Sequence, residues 1–309
     1  MSEPRSSRLA RRGRLLLAIA AAAAVAGGCA HRRPRPGVAE AVVTDAGSYL
    51  LVYELDDRAG GEMVRRALSA AGPRLARWGS LRDPVEVRVL PTHESLERAV
   101  GRPGYAWLRA WARREVVFVQ SPPTWFEGGP TQPQVNELLL HELTHCVMYQ
   151  AASPGDEWQR KGIPVWFREG MASVTANQGY RRASWASLAR LLAGPPSEDP
   201  IAAPERLFRD ESDAVYSAGH HAFAFLVRRY GDGAVRGILA EMYAGRDFEQ
   251  AFEAAIGIRA DAFIREFKRY VLMGGWRSSP PRFQRKGAHK CEPSSSASPV
   301  ESKSSSSEK

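Results

Sequence analysis

An α+β fold is what the sequence predicts, with an N-terminal mixed sheet and helices followed by a helical C-terminal part. Three observations point to it. Tyr49 to Glu54, Val85 to Leu90 and Glu115 to Gln120 are short runs rich in Val, Leu and aromatic residues, and read as strands. Apolar residues at helical spacing recur through residues 132–272. Between a basic N-terminus and a Ser-rich C-terminus lie about 240 residues, enough for one unit with two subdomains flanking a cleft.

Residues 1–28 read as a targeting signal peptide outside that fold. Arg5, Arg8, Arg11, Arg12 and Arg14 form a basic n-region, and Leu15 to Val25 is an apolar run of signal length, too short to span a bilayer comfortably. Export is the expectation. The run ends in Ala26-Gly27-Gly28-Cys29, which resembles a bacterial lipoprotein signal cut before a cysteine that takes lipid, with Ala26 where Leu is usual. That resemblance implies lipidation of Cys29 and an anchor in the bacterial cell envelope, facing the periplasm or the exterior. The alternatives are an uncleaved anchor or an ordinary cleaved signal and a secreted, soluble protein. Arg11-Arg12 fits a twin-arginine signal loosely, so both export routes stay open. Residues 29–40 follow as a basic tether, Pro-stiffened at Arg32 to Pro36, that could lie against anionic lipid of the membrane.

The net charge of +9 is confined to the two ends. Residues 1–36 carry +7 and residues 277–309 carry +4, which leaves −2 for residues 37–276. Nucleic acid is therefore excluded as a partner class. Of the three cysteines, Cys29 is the lipid candidate, Cys291 lies in a Ser-rich tail and Cys146 reads as a small core residue. An oxidising compartment would permit a bridge between Cys146 and Cys291, but nothing in the sequence calls for one.

Within residues 41–150, Ala59 to Trp78 is amphipathic apart from Pro73, and Thr92 to Val100 is a short helix with a T-x-x-S start. Val116 to Gln120 is either ordinary sheet or an edge strand against which an extended peptide pairs. Trp125 and Phe126 sit in a Pro- and Gly-rich loop, Ser121 to Pro130, and either shape a cleft or cover the core.

Thr131 and Gln134 form a T-x-x-Q capping box around Pro133, so a helix starts near Gln132. It carries Glu137 to His145, ELLLHELTH, which contains HExxH. Positions i and i+4 leave one helix face about 5 to 6 Å apart, so His141 and His145 can both place a ring nitrogen on one zinc ion. Glu142 lies about 100° around the helix from His141, close enough to take a proton from water at such a metal without being a ligand. A catalytic zinc usually has three protein ligands, so a third is expected from a neighbouring element.

Pro164 starts a second helix, on which Trp166 to Ala172 reads WFREGMA. Here the chain resembles the gluzincin metallopeptidases, in which a W-x-x-E-G-x-A segment after HExxH supplies a glutamate ligand. The resemblance implies Glu169 as third ligand. Arg168 stands where the family usually has Asn, a departure that touches the surroundings of the ligand rather than the ligand set. The metzincin pattern is absent, since Met148 and Ala151 replace its Gly and His. Tyr216 to Phe223, YSAGHHAF, is similar to a Y-x-x-G segment of gluzincin aminopeptidases, which implies that the Tyr216 hydroxyl donates to the oxyanion. His220 and His221 are competitors for that donation, or could line the cleft.

Helices at residues 234–243, 248–256 and 260–272 complete a layout similar to the peptidase MA-like family from about residue 115 to 272, with a zincin-like fold. The domain is bounded at 41–276, its α/β part at 41–150 and its helical part at 151–276; residues 277–309 have a disordered-type composition. The resemblance implies an exported zinc metallopeptidase acting on a peptide or protein substrate, with one zinc. No G-x-M-E-N segment occurs, so the aminopeptidase device for reading a free N-terminus is missing and an endopeptidase is preferred. The alternative is a catalytically silent lipoprotein of the same fold serving as an envelope scaffold.

Overall fold

The computed structural model describes residues 37–274. The expected signal peptide, Cys29, Arg32 to Pro36, Cys291 and the tail lie outside the described residues. Five strands, β1 (Gly37–Thr44), β2 (Gly47–Glu54), β3 (Val85–Leu90), β4 (Ala110–Ala112) and β5 (Val116–Gln120), form one mixed sheet in the order β1-β2-β3-β5-β4. The pairs β1/β2 and β4/β5 are antiparallel, while β2/β3 and β3/β5 are parallel. One expectation is corrected, and one open alternative is decided. Residues 37–40, assigned to the tether, are the first half of β1, paired with β2 from Gly37 opposite Glu54. β5 is not an edge strand, because β4 pairs with it and becomes the edge itself.

Alternation divides the sheet faces. Val85, Val87, Val117 and Val119 point to one side, where they join Val64 and Leu68 of α1 (Arg58–Leu75) and Leu139, Leu143 and Val147 of α3 (Gln132–Ala152). Phe118 points to the other, under Leu96 and Val100 of α2 (His93–Val100). The T-x-x-S start of α2 is a reciprocal cap, with Ser95 N–H donating to Thr92 Oγ1 and Thr92 N–H to Ser95 Oγ. At α3 the Thr131 N–H donates to Gln134 Oε1 at 2.8 Å.

Helix α3 is buried without interruption from Leu139 to Gln150. Its end is fixed by Gln150, whose Oε1 accepts from the N–H groups of Arg82 and Asp83 while its Nε2 donates to the carbonyls of Asp83 and Arg114. All four hydrogen-bonding sites of this buried amide are filled, which locks the helix against the sheet. Cys146 is a buried core residue with its thiol on the Arg113 carbonyl, as the sequence suggested.

The helical part comprises α4 (Val165–Thr175), α5 (Trp185–Leu192), α6 (Pro204–Leu207), α7 (Ser212–Tyr230), α8 (Asp232–Tyr243), α9 (Phe248–Ile256) and α10 (Ala260–Leu272). One core runs from the sheet side into this part, so the two expected subdomains share it. On α4, Trp166 stacks on Phe263 and Phe167 meets Phe223 and Phe248 edge-on at 5.3 and 5.1 Å. The aromatic pair of WFREGMA thus anchors α4 in the helical core. Among the described residues no helix is long and apolar enough to cross a membrane.

Helices α4 and α7 approach so closely that Gly170 has no room for a side chain. A Cβ there would overlap the Gly219 carbonyl oxygen and lie 2.5 Å from Phe223 Cβ. Since α4 carries Glu169 beside it, Gly170→Ala should destabilise the fold by about 1–3 kcal/mol through overpacking and displace that carboxylate. Denaturant unfolding checks this, and a variant as stable as wild type would refute the packing assignment.

Candidate metal centre

Helices α3 and α4 bring three groups together across their contact. His141, His145 and Glu169 offer ligand atoms that all lie within 4.8 Å of one another. Glu169 Oε2 is 3.4 Å from His141 Nε2 and 3.6 Å from His145 Nε2, and all three residues are buried. His141 Nδ1 lies 3.0 Å from Gln178 Oε1. An amide oxygen can only accept, so Nδ1 carries a proton and Nε2 is the nitrogen that faces Glu169. His145 Nδ1 is buried and has no hydrogen-bond partner. Two imidazole nitrogens and one carboxylate are a donor set suited to zinc. Among the described residues no other group of His, Cys, Asp or Glu converges in this way.

Electrostatics within the cluster follow from its burial. Desolvation pushes the Glu169 carboxyl up, but His145 and His141 outweigh it and hold the group well below the usual carboxylate range. Desolvation lowers His141, and the bond to Glu169 together with the Glu142 charge more than reverses that. For Glu142 the balance differs: burial dominates and its carboxyl is raised, although both histidines and the Ala112 N–H oppose this. Glu142 is therefore the more basic of the two carboxylates, which suits a proton acceptor rather than a ligand.

Glu142 is held from the sheet edge. Arg109 O accepts from Gln120 N–H and Arg113 N–H donates to the Val116 carbonyl, so these alternate residues of the β4 segment bond to β5. The groups of Ala110 and Ala112 therefore face outwards, and the Ala112 N–H donates to Glu142. The same outer edge lines a cleft of about 570 Å³ together with His141, Glu142, His145, Glu169 and Tyr216. Trp125 and Phe126 both border it. Trp125 is also packed in the core, whereas Phe126 is half exposed at the rim.

Tyr216 lies on α7 with its ring 6.1 Å from the His141 ring, centroid to centroid. Burial, then the Glu169 and Glu142 charges, raise its phenol well above the ordinary value, so it stays protonated and can donate. His220 does not line the cleft. It is a turn further along α7, with Nδ1 3.0 Å from Ser173 Oγ, and burial, His221 and Arg182 push it down to about 4. Its neighbour His221 is 2.9 Å from the Ala183 carbonyl and stands 4.4 Å from Trp185. Neither histidine is among the residues that line the cleft. Arg168, Gln178 and Arg182 also border the cleft; Arg168 belongs to WFREGMA, whereas Gln178 and Arg182 had no signal in the sequence, because they lie in the connection between α4 and α5, which matches no motif.

Fold and site together define an α+β chain with a His-His-Glu cluster on the wall of a cleft. No family model and no curated protein matches this chain in sequence. Solved structures similar to it include the M1 zinc metallopeptidase of Deinococcus radiodurans, at 16% identity and a TM-score of 0.39, covering 80% of this chain and 54% of that one. A two-domain M1 zinc metallopeptidase mutant bound to L-arginine is similar at 17% identity and a TM-score of 0.40, covering 80% and 53%. The chain thus spans about half the length of the structures it matches.

Proposed function

We propose that the protein is an exported zinc metallopeptidase, anchored to the membrane by lipid on Cys29, that cleaves peptide bonds as an endopeptidase. The convergence of His141, His145 and Glu169 beside a buried, basic Glu142 is the observation that carries this reading. Those three residues would hold the metal. Zinc held there supplies Lewis-acid polarisation and acidifies water.

The chain's own groups do the rest. The outward-facing Ala110 and Ala112 offer an open strand edge along which an extended peptide can lie. Glu142, oriented by the Ala112 N–H, takes the proton of the attacking water and passes it to the leaving amine. The Tyr216 hydroxyl, kept protonated by burial, donates to the developing oxyanion. Tyr216→Phe should lower kcat about 10²- to 10³-fold with KM little changed; an unchanged kcat in steady-state kinetics would remove Tyr216 from the mechanism. The reading as a whole is tested by casein hydrolysis that stops with a zinc chelator and returns when zinc is restored. Hydrolysis indifferent to the chelator would defeat it.

A further inference from the structure

Two arginines in the cleft lack an anionic partner. Arg168, immediately before Glu169 on α4, is largely buried and bonds the Tyr149 hydroxyl, yet its Nε is buried without a partner. Arg182 places its guanidinium carbon 5.2 Å from the centroid of the Tyr216 ring and donates to Gln178 Oε1 at 3.2 Å. Its Nε is also buried and unpartnered. Among the described residues neither forms an ion pair within 4.0 Å. Their neighbour Arg181, by contrast, is paired with Glu137 at 3.3 Å. Anionic groups act on the two arginines only without ion-pair contact: Glu169 and the exposed Glu205 on Arg168, Glu137 and the exposed Asp213 on Arg182.

A guanidinium cannot shed its charge to escape desolvation, so it must be satisfied by a partner. Its fork of N–H donors matches a carboxylate in two parallel bonds. Arg168, Arg182 and Tyr216 line the same cleft as the metal cluster, and Arg182 lies over the Tyr216 ring. We propose that Arg168 and Arg182 form a carboxylate subsite beside the metal centre, which selects substrates carrying a carboxylate next to the scissile bond. Carboxylate binding stands on these two residues alone; its position relative to a scissile bond rests on the peptidase reading. The carboxylate comes from an Asp or Glu side chain, or from the substrate's C-terminus, in which case cleavage is of the carboxypeptidase type.

The test begins with the full-length chain in detergent, stripped of metal by a chelator, and uses succinate and succinamide as probes in calorimetry. Succinate should bind and succinamide should not. Arg182→Gln and Arg168→Gln should each weaken succinate by about ten- to a hundred-fold, the loss of a charge-assisted bond. Thermal unfolding identifies a variant that fails to fold, and the less buried Arg182 then decides. Equal binding of the two probes, or succinate affinity unchanged in Arg182→Gln, overturns the subsite. With zinc present, three peptides separate the sources: an acidic one with an amidated C-terminus, a neutral one with a free C-terminus and a neutral amidated one. Preference for the first identifies a side chain and preference for the second a terminal carboxylate, whereas equal cleavage of all three overturns the proposal. No cleavage of any peptide, with Arg182-dependent succinate binding intact, would defeat the peptidase reading and leave the subsite standing.

Discussion

Glu142→Gln is expected to lower kcat/KM by about 10²- to 10⁴-fold, the contribution typical of a positioned general base. The substitution keeps the shape of the side chain and its capacity to accept from the Ala112 N–H, and removes only the proton-accepting charge. Because burial is what raises the Glu142 carboxyl, the amide also relieves a desolvation cost, and the variant should be at least as stable as wild type. Zinc content should not change, since Glu142 is outside the converging ligand group. Steady-state kinetics with elemental analysis separate the two effects. Loss of zinc together with activity would mean that Glu142 serves as a ligand.

Glu169→Gln should have the opposite signature. The two histidines outweigh desolvation and keep this carboxyl ionised, so it is the one negative ligand that the cluster presents. Partners that merely orient ligands cost 10- to 100-fold in metal affinity when lost, so removing a ligand charge should exceed about 100-fold. The variant should purify without zinc. Zinc binding to the native state alone raises thermal stability by mass action, so the wild-type Tm should rise with added zinc while that of Glu169→Gln stays level. A variant that retains zinc and its Tm response would place the third ligand elsewhere.

Much of the site was legible because its signals are local. The capping box at Thr131, HExxH and WFREGMA each occupy one helix, and helix spacing alone puts His141 and His145 on one face. What escaped depends on contacts between elements. β4 has three residues, too few for a period-2 pattern, so whether β5 was the edge stayed open. β1 follows directly on the basic, Pro-rich stretch, which hid the alternation of Val38 to Val43. In WFREGMA the need for glycine at 170 comes from the Gly219 carbonyl on another helix. His220 and Tyr216 share a segment, yet one turn of α7 separates the cleft wall from the contact with Ser173.

Zinc per chain and casein hydrolysis, measured side by side on full-length wild type and Glu142→Gln, test the metal centre most directly. One zinc in both proteins, with cleavage in wild type alone, is the predicted result. Absence of zinc from both, or equal cleavage by the two, would contradict it.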